Sequence, residues 1–312
     1  MTYAILFPGQ GSQTVGMGAD LFDEHHELLV DRADPLLGWS LRTMCLDGPI
    51  EELTRTQHAQ PALFAVSYAL WLSFKAEAPR QPSAAAGHSL GEYTALAAAG
   101  SLSFEDGLRL VAERGTYMAA AGELEPSGMA ALIGADEELA RSVVEARSLV
   151  GGRLQIANLN APGQVVVAGG NDDLQWLEEN GRDLGVRRVI PLQVAGAFHS
   201  TFMEPAAELL SAVIDQIAFV PPDFEVVSNV AAGAYHVDSM ADDLVRQVTS
   251  PVLFEQSLRT MSASGIDTFV HIGPGDVTAG LAKRTIPGAK VFTVSSIADI
   301  PSVAESLSTM GE

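Results

Sequence analysis

Apolar runs and amphipathic runs alternate along the chain. Residues 3–7 (YAILF) form a short apolar run that predicts a buried strand, and residues 61–74 (PALFAVSYALWLSF) predict a buried helix. Residues 83–87 (SAAAG) predict a second strand, and residues 104–118 (FEDGLRLVAERGTYM) a helix with one apolar face. This alternation over the first 120 residues predicts a parallel sheet with helices on its faces. From Ser127 the order changes: GMAALIG, EELARSVVEAR, RLQIANL, QVVVAGG, DLQWLEENGRDLG and VRRVIPLQV read as strand, helix, strand, strand, helix, strand. That is the order of a ferredoxin-like unit, so residues 125–194 are expected to form a small α+β domain inserted into a larger α/β domain made of 1–124 and 195–312. Beyond it the pattern predicts a helix from 203 to about 217, a strand at DFEVVSN, a helix through PVLFEQSLRTMSASG and a strand at TFVHIG. A last strand and helix are expected at KVFTV and SVAESLSTM, with Gly311 and Glu312 fraying.

Composition agrees with a globular α/β protein: 312 residues, 47% hydrophobic, with 29 glycines, and neither a disordered nor a fibrous chain. The lone Cys45 excludes an internal disulfide. No charged-then-apolar signal pattern and no apolar run near about 18 residues is present, so a cytoplasmic protein away from membranes is expected. The net charge is −21, with three lysines and fifteen arginines. A field of that sign argues against nucleic acid and anionic membranes as partners, and it favours a soluble monomer.

The glycine-rich stretch FPGQGSQTVGMG, residues 7–18, lies at a strand-to-helix turn. A dinucleotide fingerprint fails because Thr14 stands where the third glycine is required, and a phosphate loop fails because Met17 stands where a lysine must reach the phosphates. No nucleotide cofactor is expected, nor a metal. The sharper signal is Gly87-His88-Ser89-Leu90-Gly91, which fits G-x-S-x-G between a small apolar strand and an alanine-rich helix. The glycines permit a tight turn that lifts Ser89 Oγ off the sheet edge, so Ser89 is the candidate nucleophile.

A serine hydroxyl needs a base. The side chain of His88 points away from its neighbour at such a turn and is expected to pack. His25 and His26 sit among Asp23, Glu24 and Glu27 and are expected to face solvent; His58 and His236 lie in polar or turn-rich stretches, and His271 reads as a core histidine at a strand end. His199, in VAGAFHSTFMEP, follows a strand on a Gly/Ala turn and is the candidate base. Acyl transfer through Ser89 would create an oxyanion, for which the backbone N–H groups of Leu90 and of Gln10 in the first loop are the candidate donors.

In this order FPGQGSQ, QPALFA, GHSLGEYTALAAAG, LVAERG, NAPGQVVVAG, GAFHS, SPVLF and HIGPG span the chain. Together they resemble the malonyl-CoA:acyl carrier protein transacylases of fatty acid synthesis and the related acyltransferase domains of polyketide synthases. The resemblance implies an α/β-hydrolase-like large domain with a ferredoxin-like small domain, the site between them, malonyl-CoA and an acyl carrier protein as partners, and no cofactor beyond these substrates. It implies Ser89 as nucleophile, His199 as base and acid, and Gln10 and Leu90 as oxyanion donors. By itself Arg114 reads as an exposed helix arginine like Arg109; the resemblance promotes it to the group that grips the free carboxylate of malonyl. Phe198 and Leu90 fit the pattern that accompanies malonyl in place of methylmalonyl. Relatives carry a polar residue where this chain has Leu253, whose backbone carbonyl is then expected to orient the histidine. Arg187, Arg188, Lys283 and Arg284 are candidates for docking an acidic carrier, with the last two expected near the cleft mouth. A polyketide acyltransferase acting in trans and a serine thioesterase or esterase are the rival readings, the latter disfavoured by Arg114.

Overall fold

A computed structural model describes residues 2–309, so Gly311 and Glu312 lie outside the described residues. In chain order its strands are β1 (Tyr3–Phe7), β2 (Ala84–Gly87), β3 (Ser127–Ile133), β4 (Gln155–Ala161), β5 (Gln164–Gly170), β6 (Arg188–Pro191), β7 (Glu225–Val226), β8 (Thr268–Ile272) and β9 (Lys290–Val294). They form two sheets. The larger runs β7-β2-β1-β8-β9 with every pair parallel. The smaller runs β4-β5-β3-β6 with every pair antiparallel, the strand order of a ferredoxin-like unit.

Strand β1 is apolar without alternation because both of its faces are covered. Tyr3, Ile5 and Phe7 enter one core, shared with Phe64, Leu70 and Trp71 of the helix Thr56–Glu77. Ala4 and Leu6, on the opposite face, enter a second core with Phe254, Leu258 and Met261 of the helix Phe254–Ala263 and Leu281 of the helix Val277–Thr285. The small sheet divides its faces in the same way. Ala130 and Leu132 pack with Ala140, Val143 and Leu177 of its own two helices, whereas Met129, Ala131 and Val166 face the larger unit. The edge strand β4 is tied across by Leu159 N–H to the Val252 carbonyl (2.9 Å) and Val252 N–H to the Ala157 carbonyl (2.9 Å).

Several elements depart from the pattern-based expectation, among them the helix Val277–Thr285 and the short helices between 33 and 54, which were not expected, and two stretches near the site. DFEVVSN holds only the two-residue strand β7, because after Val227, whose N–H still bonds the Ala85 carbonyl, the chain turns back on itself, with Ser228 N–H bonded to the Gly233 carbonyl. A helix at Met240–Thr249 was not expected, although Met240, Leu244 and Val248 recur every fourth residue and all three are buried. Among the described residues no helix is long and apolar enough to cross a membrane.

Candidate active site

Strands β1 and β2 are neighbours in register, Phe7 opposite Gly87, so the loops that leave their carboxyl ends emerge side by side. That edge of a parallel sheet is where its ligands bind. One loop carries Gln10 and the other Ser89. Ser89 takes a left-handed backbone conformation (φ 51°), a strained choice for a residue with a Cβ. The turn is tight enough that a Cβ on Gly87 would come within 1.8 Å of the Gly91 backbone, and one on Gly91 within 2.4 Å of the Phe7 carbonyl oxygen. Asn229, from the turn after β7, fastens the elbow from below. Its Oδ1 accepts from Ser89 N–H (2.8 Å) and its Nδ2 donates to the Gly87 carbonyl (2.7 Å).

His199 also has positive φ (58°), which turns its ring back over the elbow so that Nε2 lies 2.7 Å from Ser89 Oγ. Its Nδ1 lies 2.8 Å from the backbone carbonyl oxygen of Gln247. A carbonyl only accepts, so Nδ1 carries the proton and the Nε2 lone pair faces the serine hydroxyl. Burial, and then the Arg114 guanidinium, push the His199 pKa down to about 3. The imidazole is therefore neutral near pH 7, the state that a candidate base requires. In an NMR titration His199 should keep a neutral, Nδ1-protonated ring down to pH 5; an imidazolium signal at pH 6 would contradict the geometry.

The carbonyl that orients His199 was expected from Leu253, and the structure corrects this. Leu253 O accepts from Ser257 N–H and Ser257 Oγ (2.9 Å each) and so belongs to the first turn of the helix Phe254–Ala263. The carbonyl of Gln247 reaches His199 because the unexpected helix Met240–Thr249 ends beside the site.

Arg114 is 1% exposed, unlike Arg109 on the same helix, which is exposed and paired with Asp106. Its Nη2 donates to Ser89 Oγ (3.0 Å) and to Gln247 Oε1 (2.8 Å), and its Nη1 to Gln60 Oε1 (2.7 Å). The guanidinium also lies over the Tyr93 ring at 5.4 Å. Burial lowers its pKa, yet a guanidinium stays charged through the physiological range.

Gln10, Leu90, Phe198 and His199 line one cavity of about 310 Å³, walled by Met129, Ala131 and Val166 of the small sheet. Among the described residues no acceptor meets the backbone N–H of Gln10 or Leu90. Gln10 Nε2 donates to Thr56 Oγ1 at 3.2 Å. The remaining histidines lie apart from the serine hydroxyl. His88 is hydrogen-bonded through Nε2 to Asn160 Oδ1 (2.7 Å), and His271 to Thr278 Oγ1 and the Gly273 carbonyl. His25, expected to face solvent, bonds Ser73 Oγ instead (2.7 Å), because the chain before Arg32 packs on the helix Thr56–Glu77.

The sequence reading missed Gln60, Glu92, Asn229 and Gln247. The signal was present for Glu92: a lone acid inside a nearly continuous apolar helix asks for buried partners, whereas Gln60 lies in the polar first turns of its helix beside Gln57 and His58. Nothing local marked Asn229 or Gln247. Of the docking candidates, Arg187, Arg188, Lys283 and Arg284 are all exposed. Arg284 Nη1 donates to Gln164 Oε1 (2.6 Å), and Gln164 lines the cavity. Arg187 lies against Gly134, whose N–H bonds the Gly163 carbonyl at the same hairpin turn.

A family model described as an acyl transferase domain matches residues 4–304. A malonyl CoA-acyl carrier protein transacylase of Bacillus subtilis (strain 168) is 42% identical over 94% of this chain and 93% of that protein. A polyketide-biosynthesis malonyl CoA-acyl carrier protein transacylase of the same strain is 39% identical over 89% of this chain and 95% of that protein. The solved structure of the malonyl CoA-acyl carrier protein transacylase from Coxiella burnetii superposes with a TM-score of 0.93 at 32% identity, covering 98% of each chain.

Proposed function

Because this chain belongs to the acyl transferase family, among its malonyl-CoA:acyl carrier protein transacylases, we propose that it loads malonyl from CoA onto Ser89 and passes it to the phosphopantetheine thiol of an acyl carrier protein. The observation that carries this reading is a buried guanidinium 3.0 Å from the serine hydroxyl. A cation held there suits an acyl group with a free carboxylate, and a general hydrolase has no use for it.

In the forward half-reaction His199 Nε2 takes the Ser89 proton as Oγ attacks the thioester carbonyl. The oxyanion meets the Gln10 and Leu90 N–H groups; on collapse the carbon–sulfur bond breaks and the CoA thiolate takes the proton back from His199. The carrier thiol then attacks the serine ester by the same steps in reverse. Arg114 holds the malonyl carboxylate throughout, and Phe198 restricts the room beside C2. The division into 1–124 with 195–312 and 125–194 fits this reading, since the cavity takes walls from both sheets. The test is intact mass: brief incubation with malonyl-CoA should add one malonyl group, and a holo carrier protein should discharge it. Steady release of free malonate without an adduct would favour a thioesterase. The similarity to a polyketide transacylase favours a second reading in which a polyketide carrier is the acceptor, and the choice of carrier in the same assay separates the two.

Carrier proteins are acidic, and so is this chain, so docking needs a local cationic surface. Arg187 and Arg284 flank the hairpin turn at Gly163 and Gln164, with Arg188 and Lys283 beside them, and none of the four forms an ion pair among the described residues. Replacing Lys283 and Arg284 by Glu should raise the KM for the carrier roughly tenfold while leaving malonyl loading from CoA intact. An unchanged carrier KM would remove this surface from the reading.

A further inference from the structure

Four buried charged residues lie among the described residues: Glu92, Arg114, Asp173 and Asp243. Asp173 pairs directly with Arg147, and Asp243 with Arg246. Glu92 and Arg114 make no direct ion pair, although each is essentially unexposed and burial of an isolated charge is costly. They meet through one side chain. Gln247 Nε2 donates to Glu92 Oε2 and to the Ser89 carbonyl (2.9 Å), while Gln247 Oε1 accepts from Arg114 Nη2 (2.8 Å).

Glu92 is surrounded by donors. Its Oε1 accepts from Asn229 N–H (2.8 Å) and Tyr235 Oη (2.6 Å), in addition to the Gln247 amide on Oε2. Burial pushes the Glu92 pKa up to about 7, and these three donors, with the Arg114 charge, pull the other way, toward the carboxylate. The same set decides which way the Gln247 amide points. With acceptors at Glu92 and at the Ser89 carbonyl, the NH₂ must face them, and the oxygen must face Arg114. We propose that Glu92 is a positioning residue that orients the Gln247 amide and supplies the counter-charge of Arg114 at one side chain's remove, and thereby sets the preference for an acyl group with a free carboxylate. The relay has a functional consequence. A carboxylate bonded directly to Arg114 would compete with malonyl for the guanidinium, whereas an amide oxygen neutralises less, and the buried Arg114 Nε–H keeps no hydrogen-bond partner among the described residues.

The proposal rests on the malonyl-transfer reading, and Glu92→Gln tests it. A glutamine there must keep its oxygen toward Asn229 N–H and Tyr235, which turns its NH₂ toward that of Gln247. Either two NH₂ groups confront each other, or Gln247 flips and sets its NH₂ against the guanidinium and its oxygen against the Ser89 carbonyl. The His199 carbonyl contact is backbone and stays. Single-turnover loading from malonyl-CoA should therefore fall roughly 100-fold in Glu92→Gln, and loading from acetyl-CoA less than about fivefold. Gln247→Leu keeps the backbone carbonyl and removes the amide. It should shift the malonyl-to-acetyl ratio in the same direction, and the double variant should shift it no further. If Glu92→Gln fails to fold, as circular dichroism would show, the Gln247 variant carries the test. Equal losses with both acyl groups, or unchanged malonyl loading, would overturn the proposal. A wild-type protein that takes no malonyl adduct would instead remove the reading on which it rests.

Discussion

Ser89→Ala is expected to take no adduct from malonyl-CoA and to slow transfer to a holo acyl carrier protein by roughly 10⁴-fold or more. Among the described residues the Ser89 hydroxyl is the one nucleophile in hydrogen-bond contact with His199, at 2.7 Å from a neutral imidazole whose lone pair faces it. His199→Ala should cost a similar factor, and the double variant little more than either single one, because the two groups act as one unit. Whatever rate survives comes from binding and from the Gln10 and Leu90 N–H groups. The left-handed turn at residue 89 depends on Asn229 and on the glycines around it, so the Ala variant keeps the wild-type fold and its melting temperature is the control. A malonyl adduct on the Ala variant would place the nucleophile elsewhere.

Arg114→Ala should lower kcat/KM for malonyl-CoA by roughly 30- to 4,000-fold, the equivalent of about 2–5 kcal/mol for losing one partner of a buried, hydrogen-bonded charge pair. Acetyl loading should change far less, so that selectivity collapses in the same variant that loses rate. Arg114→Lys should rescue little, because a single ammonium cannot reproduce a fork that reaches Ser89, Gln60 and Gln247 from two nitrogens. Removing the guanidinium also removes the second cause of the depressed His199 pKa, so the imidazole should titrate higher in Arg114→Ala, and NMR can follow that directly. If malonyl and acetyl loading fell by equal factors, Arg114 would be structural in this protein.

The elements legible in the sequence were those whose pattern is local. Strand β1 reads as apolar on both faces because both faces are covered, and the six segments from Ser127 to Val194 were read in the order the small sheet uses. The elbow was legible because a strained turn between strand and helix needs its glycines at fixed offsets, and His199 because few histidines sit on an accessible turn after a strand. The helix Met240–Thr249 was overlooked, and the Leu253 carbonyl was expected from the family resemblance alone, whereas the carbonyl that reaches His199 sits on that helix, at Gln247.

By itself, then, the sequence determined the fold class, singled out Ser89 and His199 as candidate nucleophile and base and, through its family resemblance, pointed to the acyl group, since periodicity and turn chemistry act over neighbouring residues. Tertiary structure decided which carbonyl orients His199, that Arg114 is buried while Arg109 is not, and that Glu92, Asn229 and Gln247 belong to the site. The reason is that these residues act through largely buried hydrogen bonds between positions far apart in the chain, from 48 residues for His199 and Gln247 to 158 for Ser89 and Gln247. A hydrogen bond of that kind takes its strength from burial and its partner from packing, neither of which is encoded in the residues beside it.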